Sequence, residues 1–416
     1  MNTLLRSVRI HDHRSPHDGR TADVRIGEGR ILEIGTDLSL GDDREMTPED
    51  AWLSPGWVDS NCLITDPGEE HKEDISSGLA AAMRGGFTDV VQLPNTNPVT
   101  DSKAQVSYVL DRAERIGGAR LLPAAALSRG CAGQDLAEIY DLFGAGAVAV
   151  TDGDAVVRDA GLLQRALRYT LRIDAVVMTR PDDRTISGAG QVHEGAVSVR
   201  TGLRGMPAMA EEVMVMRDIR LAEYTGGRLH ILSVSTAGAV DLVRSARARG
   251  VHVTAGVNAH HLLLTDREAL GFDPVYKVDP PLRGEDDRAA LLDGLRDGTI
   301  QVIASGHRPQ HRDDKLREFD TAAFGISSLE TTFATAIEAL GTDEEAVRTV
   351  IRALTDGPRD MLDLDHPVID AGQPVSATLF SPTSEVTHTA DRWVSRSRSN
   401  PFIDRLLHGR VIRIFT

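Results

Sequence analysis

Cysteine is nearly missing from this chain: Cys62 and Cys131 are the only two among 416 residues. Two cysteines cannot build a disulfide framework, and they form no CxxC redox or metal pattern, so both read as buried thiols. Long apolar runs are lacking as well. No stretch reaches the roughly 18 consecutive apolar residues that a membrane-spanning helix needs, and the opening segment MNTLLRSVRIHDHRSPHDGR carries no apolar leader. The expectation is a soluble, cytoplasmic protein with no membrane partner. Positive charge is in deficit too, with 46 Lys and Arg against 62 Asp and Glu and a formal net charge of -16. Such a surface repels a phosphate backbone and argues against nucleic acid as a partner.

What is present is an ordinary globular composition, 41% hydrophobic and 26% charged, in a chain long enough for a barrel plus a small domain. From residue 54 to 369 short β-branched or apolar runs alternate with longer helical segments, the pattern of repeated βα units. Eight strands are predicted: Gly56 to Leu63, Phe87 to Leu93, Arg120 to Leu127, Ala147 to Thr151, Ala175 to Met178, Arg228 to Ser235, Val251 to Val257 and Gln301 to Ser305. Amphipathic helices lie between them. In SKAQVSYVLDRAERI the residues Val106, Val109, Leu110 and Ala113 share a face, and in AGLLQRALRYTLRI the residues Leu162, Leu163, Ala166 and Leu167 do so. Eight such units imply an α/β fold, a TIM-type (β/α)8 barrel, whose chemistry belongs on the loops at the C-terminal ends of the strands. Residues 1–53 and 370–416 read instead as short strands with turns, which predicts one small β domain assembled from both chain ends.

Several motifs converge on one family. Ser54-Pro-Gly-Trp-Val-Asp59, then Pro67-Gly68 with Glu70, Lys72, Glu73 and Asp74, resembles the first strand and loop of the dihydroorotases within the amidohydrolase superfamily. Gly85-Gly86-Phe87-Thr88 with Leu93-Pro94-Asn95-Thr96-Asn97-Pro98-Val99 is similar to the second-strand motif, and Thr151-Asp152-Gly153 and His193-Glu194-Gly195 follow in the same order. Leu229 to Thr236, Val257 to Leu262, Pro280-Pro281-Leu282-Arg283, Gly325 to Thr331 and Ser395 to Phe402 extend the likeness to the C-terminus.

The resemblance implies a zinc-dependent hydrolase of cyclic amides, in which the metal acidifies a bound water and polarises the carbonyl. The residues it requires are largely gone. Where the family reads Asp-x-His-x-His-x-Arg, the inward set here is Asn61, Leu63 and Thr65. At the fifth strand either Thr179 or Arg180, depending on a one-residue shift, replaces the ligand histidine, and at the sixth Ser233 replaces the second histidine. At the eighth, Ser305-Gly306-His307-Arg308-Pro309-Gln310 stands for Thr-Asp-His-Ala-Pro-His, so the catalytic aspartate has become Gly306 and a substrate-associated histidine Gln310. Leucine cannot ligate a metal, an amide oxygen is a poor zinc donor, and glycine has no proton to move.

Asp152 survives at a ligand position and Asn95 at a substrate-carboxylate position, though each also suits a turn that satisfies local backbone groups. The sequence thus predicts no catalytic residue and no metal ligand set, hence no cofactor, with zinc expected only if a rebuilt site exists. A vestigial pocket would use Asn95, Asp152, Arg180 and His261; a rebuilt metal site would gather His260, His261, His307 and His311 around Asp152. The runs His193-Glu194 and His71-Lys72-Glu73-Asp74 read as solvated or loop-ordering charges. Three functions follow as expectations. The favoured one is a non-catalytic, oligomeric partner of the aspartate transcarbamoylase catalytic chain, as the family resemblance implies. The others are an active cyclic-amide hydrolase and a regulator that binds an anionic metabolite.

Overall fold

The computed structural model describes residues 2–416. Eight parallel strands, Trp57–Cys62, Phe87–Gln92, Arg120–Ala126, Ala149–Thr151, Val177–Thr179, Leu229–Ile231, Val253–Asn258 and Val302–Ala304, stand side by side in chain order. Each overlaps its predicted counterpart, because strands buried on both faces are written as near-continuous apolar runs. The first and last close on each other through side chains more than through a ladder. Asp59, fully buried, accepts hydrogen bonds from the Ser305 amide (2.8 Å) and hydroxyl, and the Leu63 amide donates to the His307 carbonyl (3.0 Å). The result is a nearly closed barrel.

Inward residues Val58, Val91, Leu122, Ala124, Ala149, Met178 and Leu232 pack inside it, while outward ones such as Val90, Val150 and Val177 meet the surrounding helices. Helix Lys103–Ile116 begins where the Ser102 hydroxyl accepts from the Gln105 amide, buries Val106, Val109 and Ala113, and ends at Gly117 with φ 72°. Helix Ala160–Thr170 is capped by Asp159 and buries Leu162, Leu163, Ala166 and Leu167, the face expected from the sequence.

A seven-stranded sheet joins the two chain ends. Trp52–Pro55 lies between Thr3–Ile10 and Ala377–Thr387, which in turn pairs with Leu406–Phe415. Its core holds Leu5, Val8, Ile10, Val24, Leu53, Ile369, Leu379 and Phe415. The boundary expected between residues 53 and 54 falls inside this sheet's strand Trp52–Pro55, which makes Ser54 and Pro55 part of the end domain's ladder. No helix among the described residues is long and apolar enough to cross a membrane.

Candidate functional site at the barrel mouth

At the C-terminal end of the barrel the first, sixth and seventh strands each offer one buried polar side chain: Asn61, Ser233 and Asn258. They hydrogen-bond to one another. Asn61 Nδ2 donates to Ser233 Oγ (2.9 Å) and to Asn258 Oδ1 (3.1 Å), and Ser233 Oγ donates to the same Asn258 oxygen (3.1 Å). Buried polar groups must find partners, and these three satisfy one another instead of a ligand.

Arg308 completes the cluster. Its Nη2 donates to Asn61 Oδ1 (2.7 Å) and its Nε lies 2.9 and 2.8 Å from the two oxygens of Asp154. Arg180 reaches the same group from the fifth strand, donating from Nη1 to the Asp154 carbonyl (2.8 Å) and forming an ion pair with Asp279. Arg184 also pairs with Asp279 (2.8 Å) and with Asp182 (2.9 Å). Burial alone would raise the Asp279 pKa, yet Arg180 and Arg184 outweigh it and hold that carboxyl at about 2. Asp154 is likewise held below its ordinary value: burial opposes this, and the charges of Arg308 and Arg180 prevail.

The alternation of the fifth strand resolves the position left open by the sequence. Met178 packs inside the barrel, Thr179 turns outward beside the buried Asp218, and Arg180 faces the mouth. Leu63 packs against the apolar barrel interior, and the Thr65 hydroxyl donates to the Glu69 and Glu73 carbonyls (2.8 and 3.0 Å). Gly306 has φ 62°, and a Cβ built there would sit 2.5 Å from Asn258 Cγ. Asn258 thus fills the space that a side chain at position 306 would need.

The remaining candidates are engaged locally. Asp152 accepts from the Ser128 amide (2.8 Å) and hydroxyl (2.5 Å), and burial raises its pKa. Asn95 bridges a turn, donating to the Asp152 carbonyl (3.0 Å) and accepting from the Asp154 amide (2.8 Å). His261 places Nε2 3.0 Å from the Pro280 carbonyl, and burial lowers its pKa to about 4. Asn95, Asp152, Arg180 and His261, the residues of the expected pocket, are thus each hydrogen-bonded to protein. The cavity that Arg180 does line, with Ser233 and Asp279, measures about 10 Å³, roughly the space of one water.

Nor do the four histidines gather around Asp152. His307 is fully buried, with Nδ1 accepting from the Ser328 amide (3.0 Å) and Nε2 3.3 Å from Glu73. Glu73 also accepts from the Ser395 hydroxyl, so of the solvated and loop-ordering readings it takes the second: buried, it ties the barrel to the C-terminal segment. His311 caps a short helix and lies beside His71, and burial holds His260 neutral. His193, expected to be a solvated or loop-ordering group, has its Nδ1 3.2 Å from Arg283 Nη1 beside the buried Glu211. No group of three or more His, Cys, Asp or Glu among the described residues is arranged to hold a metal ion. Zinc does not fit the mouth: neutral amide and hydroxyl groups already bonded to one another are poor donors, and the adjoining Arg308 repels a dication. Sequence reasoning passed over Asn258, Arg308, Asp154 and Asp279; an arginine two residues beyond a lost aspartate was the signal available.

Comparison with known proteins supplies the family. Residues 51–239 match the family model described as Dihydro-orotase-like. The chain is 39% identical over 412 residues to the dihydroorotase of Syntrophotalea carbinolica, covering 99% of this chain and 97% of the relative. It is 41% identical over 393 residues to that of Pelotomaculum thermopropionicum, covering 93% and 91%. Among solved structures, the L-hydantoinase of Arthrobacter aurescens superposes with a TM-score of 0.83 at 19% identity, covering 99% of this chain and 94% of that one. The dihydropyrimidinase of Brevibacillus agri gives 0.82 at 19%, covering 100% and 94%. At that identity the likeness speaks to fold.

Proposed function

The chain belongs to the dihydroorotase family, and from that premise we propose that it has exchanged ring-opening chemistry for a structural role beside aspartate transcarbamoylase in pyrimidine biosynthesis. The observation that carries the loss of chemistry is the position of Arg308. Its guanidinium is bonded to Asn61, a residue standing where the family has a metal ligand, and is neutralised by Asp154. A site that must accept a dication and a cyclic substrate has no use for a fixed cation and a self-satisfied ring of amides. The partner rests on family resemblance alone: a barrel kept without its reaction needs another reason to keep its family sequence.

An active cyclic-amide hydrolase is the second reading, favoured by the name its 39% identical relative bears. An anionic-metabolite regulator working through Arg180 is disfavoured, since that guanidinium is already paired with Asp279. Metal analysis combined with a dihydroorotate assay separates the first two: substoichiometric zinc and background turnover are expected, and two tightly bound zinc ions with turnover would overturn the proposal. For the partner, co-expression with aspartate transcarbamoylase should yield a larger complex by light scattering and a more stable transcarbamoylase. Separate elution at micromolar concentration with unchanged stability would remove that part of the reading.

A further inference from the structure

Away from the mouth, a cavity of about 370 Å³ opens between the barrel and the end domain. This lies within the range of about 300 to 1,000 Å³ usual for small-ligand sites. Three arginines line it: Arg84, the last residue of helix Ile75–Arg84; Arg410, on strand Leu406–Phe415; and Arg392, in the turn after strand Ala377–Thr387. None of the three forms an ion pair or a side-chain hydrogen bond among the described residues. All three are exposed to solvent, so their donors stand free on one cavity of a chain with 16 more acidic than basic residues.

His388 lines the same cavity, and its Nε2 is buried without a hydrogen-bond partner. Burial, and secondarily Arg84, hold this ring at about 4, so near neutral pH it is uncharged and Nε2 can donate or accept. Two carboxylates share the lining. Glu330 is already engaged, accepting from the Val394 amide (3.0 Å) and the Ser395 amide (3.0 Å), and Glu385 is exposed on the rim. Val386, Val411 and Ile412 add a small apolar part to a mostly polar lining.

We propose that this cavity binds a small multivalent oxyanion of the phosphate class. Three planar forks call for several acceptor oxygens and more than one negative charge, which a tetrahedral phosphate supplies and a single carboxylate does not. The site shares no residue with the barrel mouth and stands whether or not the mouth is catalytic.

The test is calorimetric titration of the full chain with inorganic phosphate, pyrophosphate and citrate at matched ionic strength. Saturable binding of pyrophosphate or phosphate at one site per chain is expected. Arg84→Ala and Arg410→Ala should each weaken it about tenfold or more, a loss of about 1.4 kcal/mol. Arg84→Lys should lose less, and His388→Phe should also weaken binding. Arg172→Ala, an exposed arginine outside the cavity, should leave affinity unchanged. No saturation with either phosphate, an equal loss in Arg172→Ala, or saturable binding of citrate alone would overturn the assignment. Circular dichroism of each variant separates lost binding from lost folding.

Discussion

The barrel mouth and the arginine-lined cavity both concentrate guanidinium groups, yet they do opposite things with them. At the mouth Arg180, Arg184 and Arg308 are matched by Asp279, Asp182 and Asp154. At the cavity Arg84, Arg392 and Arg410 have no carboxylate in pairing distance. Charge by itself does not mark a binding site; several charges without an ion pair, gathered on one cavity, are what a ligand can use. A paired arginine has its field and its donors committed to the fold, whereas an unpaired one keeps both for a ligand.

The sharpest way to break this contrast is to unpair the mouth. Asp279→Ala leaves Arg180 and Arg184 facing each other, and Arg180 is only 10% exposed at its side chain. Removing one partner of a buried pair typically costs about 3–5 kcal/mol; because Asp279 retains some solvent contact, a loss of about 3 kcal/mol in urea unfolding is expected. The same carboxyl sets an acid limit. Its folded pKa of about 2 lies below the unfolded value of about 3.9. Its contribution is therefore complete above pH 4 and fades as pH falls from 4 toward 2. Asp279→Asn should flatten that limb; an unchanged acid profile would mean the pair contributes nothing.

A smaller loss should follow from refilling position 306. Gly306→Asp introduces a Cβ against Asn258 and a side chain at φ 62°, so it should destabilise by about 2 kcal/mol and stay without dihydroorotase activity. Adding Asn258→Gly removes the clash but not the backbone strain, and should recover part of the stability without activity. Turnover by the single variant would contradict the account of the mouth.

These effects also show where reading the sequence ran out. Eight barrel strands were legible because each is a buried apolar run, and Leu162, Leu163, Ala166 and Leu167 declared their helical face by spacing. The ends of strands were less so: Arg228 to Ser235 was expected, but the ladder keeps only Leu229–Ile231 before the chain turns into the mouth. The losses at Asn61, Leu63 and Ser233 were plain from residue type. What replaced them was not, since the Asn61–Asn258 bond and the reach of Arg308 to Asp154 join residues that lie 197 and 154 positions apart. The arginine cavity was equally illegible, because Arg84 and Arg410 come from opposite ends of the chain and only the meeting of the end domain with the barrel brings them together.

The least disruptive substitution sharpens the comparison most cleanly. Arg84→Ala removes a charge, as Asp279→Ala does, but from a group with no ion-pair partner. Its side chain is exposed, and two like charges, Arg392 and Arg410, line the same cavity. Deleting it forfeits no ion pair, and the repulsion relieved at Arg392 and Arg410 is offset by the lost attraction to Glu330, so in buffer without phosphate the unfolding free energy should change by less than about 0.5 kcal/mol. With pyrophosphate present, the parent chain should gain stability by mass action and the variant should gain much less. The difference between the two chains should therefore grow with ligand concentration. If Arg84→Ala destabilises the unliganded protein as strongly as Asp279→Ala does, then Arg84 is a structural charge whose partner lies elsewhere in the fold. The distinction between committed and uncommitted arginines then fails at this residue.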